Sequence, residues 1–339
     1  MRLLMLGGTD FVGRTLVEDA VRRGWEVTVF HRGRNEAPRG ARSLLGDRTA
    51  PDGLAALADG TWDAVVDTWS AAPRAVRESA GLLAGRAGHY AYVSSVSVYD
   101  WPRPAGFTEE APTVTGADPG AGQTDYARDK RGGELAAVES FGAEASLLVR
   151  AGLILGPYEN IGRLPWWLHR IARGGDILAP GPRELAVPYV DARDLAAWVL
   201  SAVERGSSGP YNVAGTPDRA TMGEVLDACV RVTGGAARLR WTEPETVLAA
   251  GIEPWTQLPM WVPRGSELES GVYGMDVSRA TREGLRHRPA DETVADTWAW
   301  LRTMDGHAPR RADRPEVGLD PAVEARVLAA PPAPAETDR

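Results

Sequence analysis

Met1-Arg2-Leu3-Leu4-Met5-Leu6-Gly7-Gly8-Thr9-Asp10-Phe11-Val12-Gly13 is the stretch from which the fold is read. Its apolar run fits a short buried strand, and the glycines that follow fit a tight turn. From Gly13 to Arg23 apolar residues recur at helical spacing, and Glu26-Val27-Thr28-Val29-Phe30 reads as a second strand. A strand, a glycine turn and a helix in this order aim backbone N–H groups and the positive helix end at one point. A pyrophosphate fits there. Asp10 stands where the usual spacing has a middle glycine. A carboxylate in that position repels a pyrophosphate unless it points away.

The pattern repeats outward. Residues 63–67 and 89–93 read as strands with a helix at 74–83 between them, and a helix near 125–140 precedes a strand at 145–149. Alternation of this kind predicts an α/β protein with a Rossmann-type doubly wound parallel sheet. Beyond Gly156, helices at about 164–173 and 191–204 alternate with Pro and Gly turns, ahead of a Trp-rich stretch from Trp241 to Pro263. The expected organisation is a dinucleotide-binding domain over 1–156, with sheet contributions from about 185–215, and a smaller C-terminal substrate-binding lobe over 157–305. Residues 306–339 are expected to be an extension and loose tail, with a short helix at about 321–328.

Composition narrows the function. The chain has 339 residues, 43% hydrophobic and 25% charged, which is globular in character. A net charge of −8 without a basic block predicts no nucleic-acid or membrane partner. The single cysteine, Cys229, excludes an intramolecular disulfide and a multi-cysteine metal site, so no metal is expected. With an N-terminal apolar run too short for a signal peptide or span, the expected location is cytoplasmic.

At the end of the second strand, His31-Arg32-Gly33-Arg34 replaces the acid that would hold the ribose hydroxyls of NAD. Arg32, Arg34 and His31 could receive a 2′-phosphate, so NADP(H) is favoured, with NAD(H) as the alternative. In Asp47-Arg48, the carboxylate is a candidate acceptor for the adenine amino group, and Arg48 is a further candidate for cofactor binding.

Of the 38 basic residues only one is lysine, Lys130, and Tyr126 lies four residues before it. With eight tyrosines in the chain, that coincidence has a chance of about 2%. The spacing puts both side chains on one helix face. An ammonium favours a phenolate, so Tyr126 could exchange a proton with a substrate hydroxyl or carbonyl. Upstream, Val93-Ser94-Ser95-Val96-Ser97-Val98-Tyr99 carries a buried strand outward, with Ser95 and Ser97 on one side. Either hydroxyl could hydrogen-bond the reacting oxygen.

Taken in order, the glycine turn, the Ser-Ser-x-Ser-Val-Tyr segment, Tyr126-x-x-x-Lys130, Arg150 to Gly156-Pro157, and Tyr189 to Ala196 resemble the extended short-chain dehydrogenase/reductases, in particular the NAD-dependent epimerase/dehydratase group. The resemblance spans about residues 1–305. It implies Tyr126 as general acid/base, Lys130 as its electrostatic partner and ribose clamp, and Ser95 as the group polarising the substrate oxygen. Gly7, Thr9, Phe11, Val12 and Gly13 match the pyrophosphate turn. Thr68, Trp69 and Ser70 match the segment over the cofactor, with Trp69 a bulky departure expected to narrow the pocket. Gly152 and Ile154 match the run beside the nicotinamide.

On the substrate side, Asn160 and Arg163 could bind a hydroxylated or anionic group, and Trp166 could line an aromatic pocket. The leading expectation is an NADP(H)-dependent reductase or dehydrogenase acting on a small hydroxylated or cyclic metabolite. Its rival keeps the site but retains the cofactor, giving an epimerase of a sugar or nucleotide-sugar-like substrate. A dehydratase is less favoured, because Val96-Ser97 occupies the place of its acid/base pair. A noncatalytic nucleotide-binding sensor on the same fold is the third reading. A homodimer through the helices at 74–83 and 125–140 is expected by analogy with relatives.

Overall fold

The computed structural model describes residues 1–304 and 308–330. In the N-terminal part, strands β1 (Arg2–Leu6), β2 (Glu26–His31), β3 (Arg42–Leu45), β4 (Ala64–Asp67), β5 (Tyr90–Ser95) and β6 (Ser146–Ala151) alternate with helices α1 (Phe11–Arg22), α2 (Pro73–Leu83) and α3 (Tyr126–Phe141). After them come β7 (Ile154–Leu155), α4 (Arg163–Ala172), β8 (Gly175–Pro180), β9 (Val190–Asp191), α5 (Ala192–Arg205), β10 (Gly209–Val213), α6 (Met222–Thr233) and β11 (Ala237–Thr242). Short pieces α7 (Pro244–Ala249), β12 (Pro254–Trp255), β13 (Leu258–Pro259), α8 (Glu267–Tyr273) and α9 (Ser278–Arg282) lead to α10 (Ala290–Arg302) and α11 (Pro321–Ala329).

Seven strands form one parallel sheet in the order β10-β6-β5-β4-β1-β2-β3, with Leu3 of β1 opposite both Val27 and Ala64. The central strand shows why the N-terminal run is apolar throughout. Leu3 and Met5 pack into the core beneath α1 and α5, whereas Leu4 and Leu6 pack into the opposite core beneath α2 and α3. A strand covered on both faces has no polar side to display. The direction of the chain reverses in the sheet between β1 and β4, which opens a crevice at the strand ends where ligands bind on such sheets.

A third core gathers α4, α6, α10 and the β8–β11 ladder around the fully buried Trp167 and Trp261. This region includes one departure from expectation. Residues 308–330 are not a loose tail: Leu319, Val323 and Val327 join this core, and Glu324 is buried in an ion pair with Arg170 at 2.6 Å. Glu324 also accepts the amide of Leu178 on β8 at 3.1 Å. The tail is held by long-range pairing that no local pattern encodes. Residues 306, 307 and 331–339 of the predicted extension lie outside the described residues. No helix among the described residues is long and apolar enough to cross a membrane, and none of their side chains gather as a metal site.

Candidate active site

The glycine turn is built tightly. A β-carbon on Gly13 would lie 2.7 Å from the amide nitrogen of Gly8, so only glycine lets the first turn of α1 approach the loop. Asp10, the N-cap of α1, makes no capping bond. Its carboxylate instead accepts from Asn160 Nδ2 at 2.7 Å, 150 residues away, so the expected departure resolves by turning sideways. The first amides of α1 keep no side-chain partner from Asp10, as an anion site at a helix N-terminus requires. Gly7, Thr9, Phe11, Val12 and Gly13 all belong to this turn and the start of α1. Asn160 is thereby engaged, which removes its amide from the substrate side.

At the ends of β2 and β3, Arg32 and Arg34 are exposed and form no ion pair among the described residues. His31 differs from expectation. Its Nε2 meets Ser43 Oγ at 3.0 Å, its Nδ1 accepts from the amide of Gly33, and burial lowers its pKa. It shapes the turn as a neutral ring. Asp47 is also a turn residue: it accepts from the amide and hydroxyl of Thr49, which lower its pKa, with Arg32 and Arg34 adding to the effect. Arg48 is corrected most clearly. It is buried, forms a fork onto both carboxylate oxygens of Asp67 at 2.8 Å, and donates to the carbonyl of Ala75. No donor of this kind is left for a nucleotide.

After β4, Thr68 donates to the carbonyl of Leu6. The Nε1 of Trp69 donates back to the carbonyl of Ala72, and its ring lies under Arg48. Gly152 donates its amide to Val213, and Ile154 pairs with Val190, which seats both at the junction of the lobes.

Helix α3 begins at Tyr126. Asp125 caps it by accepting the amide of Arg128, and Asp129 accepts the amide and hydroxyl of Thr124, so the chain entering the helix is fastened on both sides of Tyr126. One turn on, buried Lys130 donates from Nζ to the carbonyls of Trp69 and Val93, each at 2.6 Å. An ammonium has three donors, so one remains. Burial lowers the Lys130 pKa to about 7; Asp67 and Glu134 oppose the shift, and Arg311 and Arg314 add to it. Val93 lies two residues before Ser95, so this contact joins α3 to the end of β5. Ser95 Oγ accepts the amide of Ser97 at 3.1 Å and stands 3.2 Å from Ser97 Oγ. The strand stops at Ser95, and residues 96–98 form a 3₁₀ turn; the two hydroxyls meet because of that turn rather than by strand alternation.

Two residues not anticipated from the sequence complete the crevice. The segment after Ala308 runs back across it: Arg311 donates its amide to Asn160 and its Nη2 to Ser70 Oγ at 2.9 Å. Arg314 lies 4.0 Å over the Tyr126 ring. The signal was present as Pro309-Arg310-Arg311-Ala312-Asp313-Arg314-Pro315, but its position in the fold was not. Arg163 stacks 4.7 Å from the Trp255 ring centroid. Trp166 packs against the third core and the Trp167 ring, with Gly318 against its indole, where a β-carbon would come within 2.1 Å of Nε1.

A parallel sheet of this order, a glycine turn after its first strand and a Ser-Tyr-Lys group define an extended short-chain dehydrogenase/reductase. The chain belongs to the NAD dependent epimerase/dehydratase family, whose model matches residues 3–214. With that membership it is an NAD(P)-dependent enzyme. Its structure aligns with the Bordetella bronchiseptica enzyme WbmG in complex with NAD (TM-score 0.65, 19% identity, 91% of this chain and 96% of that one). It also aligns with UDP-glucuronic acid 4-epimerase from Bacillus cereus in complex with NAD (0.63, 13%, 90% and 99%). A third is UDP-N-acetylglucosamine 4-epimerase from Bacillus cereus (0.64, 16%, 89% and 99%). At these identities the likeness is one of fold. No curated protein matches the chain in sequence.

Proposed function

We propose that the protein is an epimerase that inverts a carbinol centre of a hydroxylated, sugar-like substrate while keeping its NAD(P), with Tyr126 as the general acid/base. Family membership and neighbours described as epimerases support this over the net reductase expected from the sequence. The tight glycine turn, free of a capping carboxylate, fits a dinucleotide pyrophosphate. When bound, the cofactor would accept a hydride from the carbinol carbon and return it. Exposed Arg32 and Arg34 support NADP(H) as its form.

Lys130 carries the proposal. It is the sole lysine, buried one turn from Tyr126 and bonded to the strand that ends at Ser95. Tyr126 would take the hydroxyl proton as the carbinol is oxidised and give it back after the hydride returns. Ser95 would donate to the reacting oxygen, and the donor that Lys130 keeps beyond its two carbonyl bonds would hold the nucleotide ribose. The test is Tyr126→Phe. Turnover of an accepted substrate is expected to fall by about 100-fold or more, within the usual range for acid–base catalysis, while nicotinamide binding stays near wild type. Full turnover by the variant would remove Tyr126 from the chemistry.

A further inference from the structure

Among the described residues the buried arginines are Arg48 and Arg150, answered by Asp67 and Glu134, and the half-buried Arg170 and Arg193 are answered in the same way by Glu324 and Asp191. An uncompensated buried charge is costly, so such pairing is the rule. Two arginines at the crevice depart from it. Arg163, at the start of α4, and Arg314, over the Tyr126 ring, have no ion pair among the described residues, and the Nε of each is shut off from solvent without an acceptor. Glu159, four residues before Arg163, is turned to the backbone: it accepts the amides of Arg163 and Leu164 at 2.7 and 3.1 Å. Arg219 also has an unpartnered Nε, but its Nη2 donates to the carbonyl of Arg288 and to the hydroxyl of Tyr189.

The segment that carries Arg314 runs past the start of α4: the amide of Arg311 donates to the carbonyl of Asn160, and a β-carbon on Gly162, the residue before Arg163, would lie 3.3 Å from Val317. Burial draws the Arg163 pKa down; Glu159, Tyr273 and Tyr126 oppose the shift, and the like charge of Arg314 adds to it. Arg314 is held there by a turn in which its amide donates to the carbonyl of Arg311, while the Arg311 guanidinium pairs with Asp313 at 2.6 Å. Downstream, Gly318 donates its amide to Thr256, and Glu324 anchors α11.

We propose that Arg163 and Arg314 form an oxyanion-binding site beside Tyr126, for a carboxylate or phosphate that the substrate carries close to its reacting carbinol. The inference rests on Tyr126 as the proton-transfer group. Two guanidinium forks supply charge-assisted, bidentate donors, and an anion between them would offset the repulsion between the two cations. Because Arg314 covers the Tyr126 ring itself, the anion and the reacting carbon belong to the same small unit. The substrate class is therefore a hydroxy acid or a phosphorylated hydroxy compound. The C-terminal segment, by delivering Arg314, is part of the specificity site.

The experiment is calorimetric titration of the full-length protein with malonate and, separately, with inorganic phosphate, at constant ionic strength. Saturable binding of at least one is expected, and the tighter of the two assigns carboxylate or phosphate. Arg314→Ala is expected to weaken it about tenfold or more, Arg314→Lys less, and Arg310→Ala, whose side chain pairs with Glu316 at the surface, not at all. Arg163→Gln should weaken it similarly; if that variant does not fold, the Arg314 pair of variants decides. Absence of saturable binding, equal binding by Arg314→Ala, or an equal loss in Arg310→Ala would overturn the proposal. Tyr126→Phe should bind the anion like wild type. A fully active Tyr126→Phe that still binds anions through Arg314 would therefore refute the acid/base role and leave the anion site standing.

Discussion

Lys130 is a buried ammonium whose two fixed acceptors are neutral carbonyls, and two arginines lie near enough to act on it. In the unfolded chain it holds its proton to a pKa of about 10.4, whereas in the fold it releases it at about 7. Between those values the unfolded chain binds more protons, so this group makes stability rise with pH across that window. Below about 7 its charge is buried at full cost in the fold. Lys130→Met, which removes the charge and keeps the stem, is expected to raise the melting temperature of cofactor-free protein more at pH 6 than at pH 9, while abolishing turnover. Equal shifts at both values would show that burial does not perturb this lysine. At this scale the sequence revealed what depends on residue type and short spacing: the sole lysine and the tyrosine four before it. It did not reveal where side chains bond. His31 and Asp47 could not be told from ligand contacts, because short polar side chains at strand ends satisfy local backbone and hydroxyl groups equally well. Asp10 was a puzzle until its partner, Asn160, was brought to it by the fold.

Among elements, α11 shows the same division. Its helix was expected at about 321–328, and the structure starts it at Pro321 with Asp320 as the capping residue. Its docking was not, because Glu324 finds Arg170 and Leu178 about half the chain away. Removing one partner of a buried pair typically costs about 3–5 kcal/mol. Glu324→Ala is expected to undock α11 and make the segment from Ala308 onward a site of rapid limited proteolysis, with the sheet domain left intact. Unchanged protease resistance would show that the apolar contacts of Leu319, Val323 and Val327 suffice alone. The consequence reaches the crevice, since the same segment carries Arg311 and Arg314.

For the whole molecule, alternation of strand and helix made the parallel sheet readable, because a strand covered on both faces must be apolar on both. The crevice at the reversal of strand order then brings together the glycine turn, the end of β5 and the start of α3 from distant parts of the sequence. What alternation could not express is the passage of Arg311 and Arg314 across that crevice. An epimerase of this kind keeps its dinucleotide through the catalytic cycle. This retention is tested by releasing the nucleotide from protein as purified, identifying it by mass, and following the nicotinamide absorbance during turnover. About one NADP(H) or NAD(H) per chain is expected, with no net change in nicotinamide as product accumulates and with the 2′-phosphorylated form lost in Arg32→Ala plus Arg34→Ala. Protein that is isolated empty and consumes one added NADPH for each product formed would contradict it and restore the reductase.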